Sequence, residues 1–130
     1  MRIRRKHFSL IELMVVIAII GAIAAIGVKN FIAQGDMAKV DTTRATINQV
    51  EEALAMYKIR KHKFPSTDEG LEALVSEKIL KGIPTDGWQN PLNYSFPGSR
   101  DQPFDIWSLG ADGIDGGQEI NADIFNGSAE

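Results

Sequence analysis

Two groups of residues in this 130-residue chain have types and spacing suited to chemistry. The first is Glu12, the single ionisable residue in the apolar run from Phe8 to Val28. The second is the stretch Ser108 to Asp123, which holds four glycines, three aspartates and a glutamate. A carboxylate within a membrane-spanning helix costs several kcal/mol unless it is paired, so it marks a functional position by default. The alternative is a side chain that snorkels to the headgroups. Carboxylates among glycine bends suit a hard cation such as Ca2+, which gathers carboxylate, carbonyl and water oxygens in forgiving geometry. Composition leaves a solvated turn equally open, and the spacing matches neither an EF-hand nor a glycine-rich nonapeptide repeat.

No catalytic constellation accompanies these groups. His62 stands in a basic run and reads as a solvated helix end, while His7 extends a basic N-terminus. Ser9 and Ser108 have no nearby base. Cysteine is absent, and neither a phosphate-binding glycine loop nor zinc spacing is present. Trp88 and Trp107 read as core or turn residues. The chain is expected not to be an enzyme.

The charge is segregated along the chain. Arg2, Arg4, Arg5 and Lys6 precede the apolar run, as the positive-inside rule requires. After Arg100 there is no Lys or Arg but seven carboxylates, an arrangement that cannot neutralise phosphates and argues against nucleic acid as a partner. With one small core and no disulfide, the fold needs another staple, either a metal ion or packing between subunits.

As a helix, the 21 residues of Phe8–Val28 span about 30 Å, one bilayer core. Three readings fit. One is a secretory signal peptide cut after Ala24, and another is an uncut anchor. The third is a leader cut on the cytoplasmic side just before Phe8. Glu12 favours the third, because a new amine at Phe8 would lie one helical turn from its carboxylate.

The residues Phe8-Ser9-Leu10-Ile11-Glu12-Leu13-Met14-Val15-Val16-Ile17 resemble the leader junction of type IV pilins and pseudopilins. The resemblance implies cleavage between His7 and Phe8 by a prepilin peptidase, N-methylation of Phe8, and a role for Glu12 in assembly. The family has glycine before the cut, where this chain has His7.

These groups must be positioned by the elements that follow. From Phe8 to Lys63 only Gly21, Gly27 and Gly35 weaken a helix. Val40, Thr43, Ile47, Val50, Leu54 and Tyr57 recur at spacings of three and four, one apolar stripe. Asp41, Arg44, Gln49, Glu52 and Lys58 fall on the opposite face. Lys58, Arg60, Lys61 and Lys63 suit a helix C-terminus, and Phe64-Pro65 ends it. A short helix capped by Ser66 or Thr67, with Glu69 in its first turn, should follow and close at Gly82 and Pro84. Asp86–Pro91 is a turn cluster, and Leu92–Phe96 and Phe104–Leu109 are strand candidates. The expected class is α+β: a long N-terminal helix packed on a small antiparallel sheet, with a C-terminal calcium-binding loop.

This half extends the resemblance. Phe64-Pro65-Ser66-Thr67-Asp68-Glu69-Gly70-Leu71, the turn Asp86–Pro91 and Phe104–Gly113 are similar to segments of the major pseudopilin of type II secretion, although Gly87 and Gln89 depart from its turn motif. The resemblance implies a basic leader (1–7), a transmembrane and polymerisation segment (8–28), an amphipathic continuation (29–63) and a periplasmic globular part (64–130) with an acidic loop (108–124). It further implies a structural Ca2+ held by the Leu109 carbonyl, Asp112, Asn121 and Asp123. The implied role is a homopolymer in the inner membrane, single-pass, that works with minor pseudopilins and the inner-membrane secretion platform in protein export. The alternatives are a type IV pilus subunit, or a soluble periplasmic calcium-binding module.

Overall fold

A computed structural model of the chain describes residues 7–127, without the side chains of 29–31 and 33. The basic residues before His7, and Glu130, lie outside the described residues. The chain divides into two compact units, residues 1–35 and 36–130. One helix, α1 (Leu10–Lys61), contributes to both.

In the first unit, the Ser9 carbonyl accepts the amides of Glu12 (3.1 Å) and Leu13 (3.2 Å), which starts the helix. Leu10–Val28 is long and apolar enough to cross a membrane, and none of it is buried. Gly21, Gly27 and Gly35 sit within α1, so their softening does not interrupt it.

In the second unit, the predicted stripe of α1 becomes the core. Thr43, Ile47, Val50, Leu54 and Tyr57 are buried, and Val40 packs at the edge. Arg44 departs from its expected solvent face: it is partly buried, and its Nε has no hydrogen-bond partner. The helix stops at Lys61, before Phe64-Pro65, because His62 takes a left-handed φ of 61° while its amide still bonds to the Lys58 carbonyl at 2.7 Å.

The capped helix expected after Pro65 is shorter than its sequence suggests. Its capping bonds do form, with the Ser66 amide donating to Glu69 Oε2 (2.8 Å) and the Glu69 amide to Ser66 Oγ (3.2 Å). Gly70, at φ 59°, then turns the chain out of helical geometry, so α2 spans only Glu72–Ser76.

The sheet has three short antiparallel strands in the order β1 (Asn93–Ser95), β2 (Asp105–Ser108), β3 (Ile124–Phe125). Tyr94 pairs with Ile106, and Trp107 with Phe125. The alternation turns Ile106 and Ser108 inward, both fully buried, and leaves Trp107 half-exposed. Beside β2, Asn126 imitates a further strand residue. Its Oδ1 accepts the Ile106 amide (2.9 Å), its Nδ2 donates to the Phe104 carbonyl (3.1 Å), and its own amide donates to the Ile106 carbonyl (2.9 Å). The architecture is α+β, as expected.

Candidate functional site: an exposed apolar helix and an anchored acidic loop

Phe8 is 83% exposed, and Glu12 and its apolar neighbours are also exposed. His7 and Phe8 precede the helix without regular secondary structure. A helical surface this apolar needs lipid or another protein surface to cover it.

The acidic loop follows β2, and a buried polar chain anchors its base. Asp86, 2% exposed, accepts the amides of Trp88 and Asn90 at Oδ1, both at 2.9 Å. Its Oδ2 accepts the Ser108 hydroxyl at 2.6 Å, and Ser108 Oγ in turn accepts the Gly110 amide at 3.1 Å. On the other side, the Gly87 amide donates to Thr43 Oγ1 (2.9 Å), whose hydroxyl donates to the Lys39 carbonyl (2.8 Å). The chain thus links α1, the Asp86 turn, β2 and the first residues of the loop. A β-carbon on Gly87 would lie 2.8 Å from Lys39 Cα and C, so only glycine lets the turn approach the helix this closely.

Within the loop, Gly110 (φ 71°) and Gly117 (φ 101°) both lie against Asn121. The Ala111 amide donates to the carbonyl of Ile120 (2.9 Å), within a 3₁₀ turn at Glu119–Asn121. The backbone therefore brings Leu109–Ala111 beside Ile120–Ala122. Asp112 Oδ1 accepts the Ile114 amide (3.1 Å), and Asp123 Oδ2 accepts the Gly116 amide (3.0 Å). The other carboxylate oxygen of Asp123, Oδ1, is buried without a hydrogen-bond partner. Such an oxygen is costly unless a cation or water satisfies it. Among the described residues, no three acidic or imidazole side chains converge as a metal cluster. A cation here would draw on carbonyl and amide oxygens as well as Asp112 and Asp123, a donor set that suits Ca2+.

Asp86 was expected only as part of a turn. Its signal was available in the turn cluster, since an Asp two residues before an exposed amide forms an Asx turn. Its bond to Ser108 spans 22 residues and has no local signature.

Residues 30–127 match the family model for type II secretion system protein G. The chain is 41% identical to the type II secretion system core protein G of Pseudomonas aeruginosa, with 96% of each chain covered. It is 37% identical to that of Vibrio cholerae, over 95% of this chain and 92% of the relative. The crystal structure of the major pseudopilin from the type 2 secretion system of enterohaemorrhagic Escherichia coli superposes with a TM-score of 0.63 at 26% identity, covering 75% of this chain and 93% of that one. A match at this length, carried by both sequence and fold, leaves one conclusion: the chain belongs to the type II secretion system protein G family.

Proposed function

We propose that this protein is the major pseudopilin of a type II secretion system, a structural subunit that polymerises to drive protein export. The observation that carries the reading is the continuous helix α1, exposed along Leu10–Val28 and with one face buried in a small core along Thr43–Tyr57. The apolar half lies in the inner membrane before assembly and packs on copies of itself afterwards. The family assignment favours this over a pilus subunit or a released periplasmic module.

In this reading residues 1–7 are a leader, and a prepilin peptidase cuts between His7 and Phe8 and methylates the new amine. That ammonium pairs with Glu12 of a neighbouring copy, which removes the cost of a lone carboxylate in an apolar surround and sets the register. The globular part faces the periplasm. Minor pseudopilins and the inner-membrane platform are the partners, and the protein works without a catalytic centre. A structural Ca2+ held by the Leu109 carbonyl, Asp112, Asn121 and Asp123 would satisfy the orphaned Asp123 oxygen and stiffen a loop that no disulfide closes.

The test is filament formation by the full chain co-expressed with its secretion machinery. Unaltered protein should yield sheared filaments, and Glu12→Ala should yield none while still accumulating in the membrane. Filaments from Glu12→Ala at the unaltered level would remove Glu12 from assembly.

A further inference from the structure

The second unit carries opposite charge and exposed apolar side chains at its two ends. At one end the acidic loop lies against the start of this unit's helix, where Met37, Val40, Asp41 and Arg44 share a groove with Glu119 and Ile120. At the other end, Lys58, Arg60 and Lys61 occupy the last turn of α1. Twenty residues of helix separate Val40 from Arg60, about 30 Å. Each end also presents large apolar side chains to solvent: Ile114, 66% exposed, precedes Asp115 in the loop, while Met56 (52%) and Ile59 (75%) sit beside Arg60. Positions 56, 59 and 60 fall at i, i+3 and i+4, so they share one helix face.

At the basic end Lys61 is paired with Glu77 and Lys58 lies 4.7 Å from the Phe64 ring centroid, which leaves Arg60 as the cation that faces neither a carboxylate nor a ring among the described residues. The one ion pair among the described residues is Lys61–Glu77 at 2.6 Å. Arg60 reaches only the Glu77 carbonyl at 3.3 Å, and Asp115 forms no ion pair among the described residues.

We infer that Ile114 and Asp115 of one copy dock on the Met56–Ile59–Arg60 face of a second copy. The occupant is a second copy because the two surfaces complement each other in charge, match in apolar content, and lie at opposite ends of one unit. Two different patches meeting head to tail make a heterologous contact, which extends into an open helical filament wherever the rotation between copies does not close a ring. The apolar pair supplies the contact, and the exposed charges set orientation and exclude like-pole encounters. Asp115 is outside the proposed calcium ligands, so the contact does not compete with the ion. The inference rests on the polymer reading and specifies one of its interfaces.

The chain has no cysteine, which makes cross-linking clean. Ile114→Cys and Ile59→Cys, made singly and together in the full chain, are oxidised in assembled filaments. The ends are too far apart for a bond within one copy, so the double variant should give a ladder of covalent multimers and each single variant none. Asp115→Lys should lower filament yield roughly two- to fivefold, the range that an exposed ion pair supports, and Arg60→Glu in the same chain should restore it. Normal filaments with no ladder, and a yield indifferent to Asp115→Lys, would overturn this contact and leave polymerisation intact. No filaments from the unaltered chain would instead overturn the polymer reading, and this contact with it.

Discussion

Replacing Asp86 should weaken the globular unit more than any other single polar change. The carboxylate is buried and accepts three hydrogen bonds, from the Trp88 and Asn90 amides and the Ser108 hydroxyl. Each bond to a charged acceptor is worth about 1.5–3 kcal/mol. Trp88 and Asn90 are only half-buried, so water can replace part of what they lose. Ser108 is fully buried, and its hydroxyl would be left without an acceptor. The net cost of Asp86→Ala is therefore about 3–5 kcal/mol, a loss typical of a broken buried network. At about 4–8 °C per kcal/mol for a unit of this size, the melting temperature should fall by more than about 12 °C. Asp86→Asn keeps an oxygen for both amides but turns the acceptor of the Ser108 hydroxyl into an NH2 donor, which Ser108 Oγ can accept only by turning its own proton away, so it should cost about 1.5–3 kcal/mol, less than the alanine. The assay is urea denaturation of the full chain in detergent, followed by Trp88 and Trp107 fluorescence. Equal losses for the two variants, or an Asp86→Ala loss under about 1 kcal/mol, would refute the idea that this carboxylate ties the turn to β2 and the base of the loop.

Three further outcomes follow from the geometry. Gly87→Ala drives a β-carbon into the Lys39 backbone and should cost about 2–4 kcal/mol, whereas Gly82→Ala, which meets open space, should change stability by under about 0.5 kcal/mol; paired denaturation curves check both. Burial, and then the charge of Glu69, push the Tyr94 phenol above its ordinary 10.0, and its hydroxyl donates to the Pro65 carbonyl at 2.8 Å. Because the folded value is raised, this contribution is complete below pH 10.0 and declines as pH rises beyond it, so Tyr94→Phe should flatten the alkaline fall in stability measured by denaturation at pH 9 to 12. Millimolar Ca2+ should raise the melting temperature of the full chain and EDTA should reverse it, with a gain of about 2.7 kcal/mol at one hundred times Kd; Asp123→Ala should abolish the response.

The parts legible in the sequence were those written in local periodicity. The Val40–Tyr57 stripe placed the core face of α1, and Glu12 stood out because nothing else in its segment can ionise. Strand segments were found but overextended, since alternation from Leu92 to Phe96 outlasts the three residues that pair. The helix after Pro65 was overextended for a different reason: a sound capping box was followed by Gly70, whose left-handed turn overrides the cap. Long-range pairings were not legible. Asn126 standing in for a strand residue beside β2, and Asp86 reaching Ser108, depend on tertiary approach and leave no spacing to read. Arg44 fell on the polar face of the pattern yet is partly buried, because β3 and the residues after it wrap that side of the helix.

Processing for polymerisation can be read from the intact mass of the protein extracted from its own membranes. A species beginning at N-methyl-Phe8 is expected, which would give Glu12 its ammonium partner. A species beginning at Ala25, the product of an ordinary signal peptidase, would lack Glu12 and the apolar helix and would contradict the filament mechanism.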